Sequence, residues 1–258
     1  VLGLDGLDPR VSDAGGLHWH SFAELEGSEE LILLGLADGK PHFVAVADAT
    51  GDAFRSPAIW RALSMLPAED AAIYGTARSL IEWHNGHRFC GRCGEATILF
   101  RAGWGRKCGN CQKEHFPRTD PVVIMLAEYQ GRVLVVRQAA WPLGNYSALA
   151  GFLEPGESVE EAVRREIFEE AGVRCGAVRY VVSQPWPFGG SQLMIACVAE
   201  ALDDTLTIDT KELEDARWVS REEVLAALKG APDKNFNAPP PFAIASTLFH
   251  RWVAEPSG

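Results

Sequence analysis

Glu166, Glu169 and Glu170 stand at i, i+3 and i+4. On a helix that spacing gathers them on one arc about 100° wide. The arc borders Val163, Ile167 and Ala171, so the carboxylates fall at the edge of the buried face rather than opposite it. Carboxylates crowded there repel one another. A hard divalent cation such as Mg²⁺ or Mn²⁺ relieves that repulsion by taking their oxygens as ligands. An ion so held can bridge phosphate oxygens, polarise phosphorus and activate a water. Glu157 ends the glycine-containing loop ahead of the helix, and Arg165 lies on the helix itself. An Arg–carboxylate pair between them would tie loop to helix in bidentate geometry. For three glutamates alone, the plainer alternative is a solvated acidic face.

A second constellation is made of thiols. Cys90, Cys93, Cys108 and Cys111 form a C-x2-C-x14-C-x2-C pattern. Two residues between ligands let one tight turn aim both sulfurs at one ion, and four thiolates suit tetrahedral Zn²⁺ with no position left for water. The expectation is one structural zinc; two redox couples are the alternative. Cys175 and Cys197 lack partners at ligand spacing and read as ordinary buried residues. Between the cysteine pairs lie Phe100, Arg101, Trp104, Arg106 and Lys107, a mildly basic stretch with aromatics. A nucleic-acid reader has that composition, and so does a small hairpin that covers its metal.

Three blocks must position these groups. Residues 1–84 carry short apolar runs separated by Asp/Gly turns, then a helix over 67–84, with no catalytic motif. Residues 85–117 hold the four cysteines. Residues 118–258 alternate strands and helices. Strands are expected at Pro121–Glu128 and Arg132–Arg137 around a Gln130-Gly131 turn, then at Val178–Ser183 and Leu193–Ala201. Ser158 with Glu161 forms a capping box for a helix ending at Ala171, and Gly172 supplies its stop. A further helix near Arg221–Leu228 takes Ser220 as cap, and the tail from Pro239 ends helical. The chain has 258 residues with a formal net charge of −11, which argues against broad non-specific nucleic-acid binding. No apolar run approaches a membrane span, and Val1–Arg10 lacks the pattern of a secretory signal. Reduced cysteines and a cytoplasmic setting are therefore expected.

Residues 151–173 resemble the Nudix box, G-x5-E-x7-R-E-U-x-E-E-x-G-U with U apolar, at all nine defined positions: Gly151, Glu157, Arg165, Glu166, Ile167, Glu169, Glu170, Gly172 and Val173. The resemblance implies a mixed-sheet α/β/α sandwich, here preceded by a zinc ribbon and a small strand-rich domain (an α+β or α/β chain overall). It also implies a hydrolase for nucleoside diphosphates linked to another group. By it, Glu166 and Glu170 are the main metal ligands, Glu169 assists metal or water, and the carbonyl of Ala150 is a further ligand. Two other segments resemble the NADH pyrophosphatase subgroup: Ser183-Gln184-Pro185-Trp186-Pro187-Phe188, and Lys211–Trp218 with Glu212 as one more metal ligand. The cysteine pattern ahead of the box fits the same subgroup.

That resemblance implies cleavage of NADH or NAD⁺ to NMNH or NMN and AMP. The alternatives are removal of an NAD cap from RNA and hydrolysis of ADP-ribose-like compounds; from another class, a zinc-ribbon nucleic-acid module. It implies a homodimer with the first block contributing. Phe116, Phe152 and the Pro185–Phe188 run offer flat surfaces for a nicotinamide or adenine ring. Gln184 and Ser191 belong to the same signature, and Ala245 shapes an adenosine pocket. The sequence departs from the signature after Phe188, where Gly189 replaces a proline and one residue is added before Leu193.

Overall fold

The computed structural model describes residues 1–25, 27, 30–47, 57–231 and 236–255. They fall into two units. The first comprises Val1–Asp120 with Pro185–Gln192, and the second Pro121–Gln184 with Leu193–Gly258.

In the first unit, β1 (Leu4–Asp5) pairs with β2 (Asp8–Pro9), and β3 (Leu31–Ala37) with β4 (Lys40–Ala45), both antiparallel. Asp38 and Gly39 join β3 to β4 with φ of 51° and 75°, the left-handed geometry that Asp-Gly turns supply. Two helices follow, α1 (Pro57–Met65) and α2 (Ala68–Gly86). The sequence signals α2, which opens after Pro67 with Glu69 and Asp70 in its first turn, but not α1. Ile32, Val44, Ile59, Tyr74, Ile81 and Phe188 belong to one buried apolar cluster. The cysteine-rich segment folds as three antiparallel strands, β5 (Thr97–Phe100), β6 (Gly105–Cys108) and β7 (Glu114–His115).

The second unit is built on β8 (Asp120–Tyr129), β9 (Arg132–Arg137), β10 (Leu149–Phe152), α3 (Val159–Ala171), β11 (Cys175–Trp186), β12 (Gln192–Ala201), β13 (Asp215–Ser220), α4 (Arg221–Leu228) and α5 (Ile244–Ala254). Its sheet runs β11-β12-β8-β9-β13, with β10 paired antiparallel to β8. Val123, Met125 and Ala127 of β8 share a buried cluster with Ala162, Val163, Ile167 and Ala171 of α3. Ile124 and Leu126 point the other way by strand alternation and are buried as well, so both faces of the sheet are covered. This is the expected α/β/α sandwich. Ser158 and Ser220 both cap their helices through complete capping boxes. Among the described residues no helix is long and apolar enough to cross a membrane.

Candidate active site and zinc ribbon

The α3 carboxylates divide by depth as their spacing requires. Glu170 is 7% exposed, the Glu166 side chain is mostly covered, and Glu169 stands at the surface. β10 carries Ala150 and Gly151 past them, and the following loop returns to α3 through Glu157. Arg165 grips that loop as its pairing with Glu157 predicts: Nε donates to Glu157 Oε1 at 2.6 Å and Nη2 to Oε2 at 2.9 Å. It does more than the sequence suggests. Nη2 also donates to the Phe152 carbonyl (2.9 Å), and Nη1 donates to Glu166 (2.7 Å) and Glu169 (3.0 Å). Hydrogen bonding to Arg165, and then to the Glu154 N–H, holds the Glu157 carboxyl down at about 2.

Glu212 reaches the same place from the loop ahead of β13. That loop is sewn to the end of α3: Thr207 N–H donates to Ala171 O at 2.8 Å and Asp209 N–H to Glu170 O at 2.9 Å. A cavity of about 410 Å³ is lined by Ala150, Phe152, Glu166, Glu169, Glu170 and Glu212, and also by Asp209. The sequence reading missed Asp209; its only local signal is an Asp-Thr-Lys turn three residues before Glu212. Burial, then the charges of Glu166 and Glu212, push the Glu170 carboxyl up to about 8. The cavity therefore gathers more carboxyl groups than Arg165 alone neutralises. Hard oxygen donors in that condition fit a divalent cation of the Mg²⁺ or Mn²⁺ kind.

The cysteine pairs are a tighter set. All four ligand sulfurs lie within 4.8 Å of one another, and among the described residues no other group of three or more such ligands does. Cys90 and Cys111 sulfurs are 3.6 Å apart, and Cys93 and Cys108 sulfurs 3.5 Å. Bonds of about 2.3 Å to a tetrahedral zinc set sulfurs about 3.8 Å apart, whereas a disulfide needs about 2.05 Å. Backbone N–H groups of Arg92 and Cys111 donate to the sulfurs of Cys90 and Cys108, both at 3.4 Å. Cys175 and Cys197 are unpaired thiols, and burial pushes each up to about 11.

Comparison with known proteins matches these pieces in order. Residues 9–83 match an NADH pyrophosphatase-like rudimentary NUDIX domain, 86–116 the NADH pyrophosphatase zinc ribbon domain and 117–238 the NUDIX domain. The NAD-capped RNA hydrolase NudC of Mycobacterium bovis (strain BCG / Pasteur 1173P2) is 35% identical over 238 residues, covering 87% of this chain and 76% of that protein. The chain belongs to the Nudix hydrolase family. Two Homo sapiens members are also similar. The NAD-capped RNA hydrolase NUDT12 is 42% identical over 202 residues, and the mitochondrial NAD(P)H pyrophosphatase NUDT13 is 41% identical over 205. These cover 74% and 76% of this chain, which spans 44% and 58% of their respective lengths.

The residues expected to bind substrate divide into two sets. Phe116 and Phe152 are open, at 47% and 52% exposure. The others are engaged within their own units. Gln184 spends its amide on backbone, donating to Phe242 O and accepting from Ile244 N–H, both at 2.8 Å. It thereby caps α5, where Ala245 is buried. Pro185 is exposed, but Pro187 is buried and packs on Gly75, where a Cβ would come within 3.4 Å of the proline ring. Trp186 stacks on Trp60 at 5.9 Å between ring centres, and Phe188 is 3% exposed within the first unit's core. Trp186 and Phe188, two of the rings expected to face a ligand, pack against Trp60 in this structure. Ser191 accepts Asp120 N–H through its carbonyl at 2.8 Å.

A buried arginine holds this loop, and no sequence signal marks it. Arg78 of α2 donates to Pro187 O at 3.0 Å, pairs with Glu82 at 3.1 Å and lies over the Phe188 ring at 5.2 Å. Gly189 and Gly190, at φ of 91° and 97°, allow the turn that follows.

Proposed function

We propose that this chain hydrolyses the pyrophosphate bond of NADH or NAD⁺, yielding NMNH or NMN and AMP. The observation that carries the reading is the convergence of Glu166, Glu170 and Glu212 on one acidic cavity beside the exposed ring of Phe152. Glu166, Glu170 and Glu212, with the Ala150 carbonyl, would hold Mg²⁺ or Mn²⁺. When bound, such an ion polarises a phosphoryl oxygen and lowers the pKa of a water. Arg165 fixes Glu166 and Glu169 relative to the loop that Glu157 ends. Glu169, at the mouth of the cavity, takes the proton of the attacking water. Phe152 provides a face for a ring of the substrate.

A second substrate follows from the names of the relatives: NAD-capped RNA, cut at the same bond. The subgroup's homodimer and a reducing, cytoplasmic setting belong to the same proposal, and cysteines placed as metal ligands rather than as disulfides fit the latter. Chromatography of products from NADH and, separately, from ADP-ribose, each with Mg²⁺ or Mn²⁺, tests the reading. NMNH and AMP formed selectively from NADH support it. Preference for ADP-ribose, or no cleavage of either, overturns it.

A further inference from the structure

The first block carries a histidine pair that the chemistry above does not use. Residues 17–20 run antiparallel to residues 1–3. Leu2 bridges Trp19, the Gly3 N–H donates to His18 O at 2.9 Å, and the His20 N–H donates to Val1 O at 2.8 Å. In an extended segment residues i and i+2 share a face. His18 and His20 therefore stand on one face. Trp19 takes the other, where it meets His42 at 4.3 Å between ring centres. The rings of His18 and His20 lie edge to face at 4.5 Å.

Gly3, opposite them, leaves a small space open beside both rings. A Cβ on Gly3 would stand 2.7 Å from His20 Nε2 and 3.1 Å from His18 Nδ1, so one nitrogen of each histidine borders that space. His18 Nδ1 is shielded from solvent and has no hydrogen-bond partner. A polar atom in that condition is costly unless something else meets it. His20 is oriented from its far side. Its Nδ1 lies 3.1 Å from Glu24 Oε2, and the Ser21 N–H donates to Glu24 Oε1 at 2.8 Å. A carboxylate so held only accepts, so neutral His20 carries its proton on Nδ1 and its lone pair on Nε2. A carboxylate behind a histidine in this way fixes the tautomer and raises the basicity of the nitrogen offered to a metal. Imidazole nitrogens suit Cu²⁺, Ni²⁺ and Zn²⁺, unlike the carboxylate oxygens of the cavity described above.

We propose that His18 and His20 bind one divalent transition-metal ion through Nδ1 and Nε2 respectively, with Glu24 orienting His20. Two protein nitrogens leave the remaining positions to water. The site lies wholly within the first block and does not depend on the pyrophosphatase reading.

The test is NMR of the ring protons of the seven histidines while the zinc-loaded full chain is titrated with Ni²⁺. Excess Mg²⁺ keeps carboxylate sites occupied. Paramagnetic Ni²⁺ broadens the resonances nearest to it. His18 and His20 should broaden together, ahead of the other five, and saturate at one ion per chain. His20→Phe keeps a ring beside His18 but no ligand, and should abolish the selective broadening of His18. Glu24→Gln touches neither ligand and should weaken binding about tenfold, the usual cost of losing the group that orients a metal-binding histidine. Equal zinc content in all three proteins shows that the ribbon is intact. Broadening spread evenly over the histidines overturns the proposal, as does wild-type affinity in His20→Phe or in Glu24→Gln.

Discussion

The Glu166 carboxylate carbon lies 1.9 Å from where a Cβ on Gly151 would stand, and its two oxygens lie within 2.3 Å. Any side chain at 151 would push aside the end of the Glu166 side chain, so glycine here leaves that carboxylate its place. Gly151→Ala is expected to displace Glu166 and cut NADH hydrolysis by on the order of 10²-fold, the usual effect of misplacing a reacting group by about 1 Å. Circular dichroism should show the fold retained. Wild-type turnover in the Gly151→Ala variant would separate Glu166 from the reaction.

Glu170 gives a second, two-sided prediction. In metal-free protein its carboxyl is pushed up to about 8, by burial first and then by Glu166 and Glu212. The unfolded chain ionises it near 4.5. Between those values the folded state holds a proton that the unfolded state has lost, so this group's contribution to stability falls as pH rises. Glu170→Gln removes that dependence and should raise the Tm of metal-free protein at pH 8. The same change should lower turnover by orders of magnitude, because a ligand oxygen is lost. A lower Tm together with retained turnover is the outcome the argument does not survive.

The zinc ribbon yields a simpler expectation. Metal analysis should find one zinc per chain, and Cys93→Ser should lose most of it. Stripping zinc with a strong chelator should lower the thermal transition, since binding energy at such a site is folding energy. An unchanged transition after verified zinc loss would count against a structural metal.

What the sequence disclosed was local. The box helix, its Ser158 cap and Gly172 stop were legible because cap, period and stop all lie within 15 residues. The thiol cluster was legible because ligand spacing is itself local. Contacts between distant residues carried no such mark. Nothing near Arg78 announces a bond to a carbonyl 109 residues away, and nothing near Asp209 places it on the wall of the carboxylate cavity. The aromatic run Trp186–Phe188 was readable as flat and rigid, but not as belonging to the core around Trp60. Helix α1 opens at Pro57 with no acidic residue in its first turn and no basic residue in its last, so its ends lack the usual charge signals.

The Arg78–Glu82 pair should prove costly to break from one side. The Arg78 side chain is 1% exposed and that of Glu82 22%. Burial pushes the Glu82 carboxyl up, and Arg78 opposes the shift. Arg78→Met is expected to destabilise by roughly 2–3 kcal/mol, since it leaves the half-buried Glu82 carboxylate without its partner and the Pro187 carbonyl without a donor. Adding Glu82→Gln should recover part of that loss, because no charge is then stranded. Urea unfolding of the two single variants and the double variant measures the coupling; strict additivity would contradict it.

His84 ties α2 to the ribbon and should make that attachment sensitive to acid. It is fully buried, with Nε2 at 2.7 Å from Gly103 O and Nδ1 at 3.0 Å from Arg106 Nη1. The two contacts fix the neutral tautomer: Nε2–H donates to the carbonyl and Nδ1 accepts from the guanidinium. Burial lowers its pKa from 6.5; the Gly103 carbonyl and Glu30 oppose the shift, while Arg106 and His87 reinforce it. Below 6.5 the unfolded chain takes up a proton that folded His84 refuses, so stability falls as pH falls, and above that value the contribution is complete. The slope from one such group is at most about 1.4 kcal/mol per pH unit. Gln at position 84 keeps one donor and one acceptor but cannot titrate. His84→Gln should therefore flatten the stability profile below pH 6.5 while costing some stability at pH 8. Parallel profiles for the two proteins across that range would show that the acid response comes from another group.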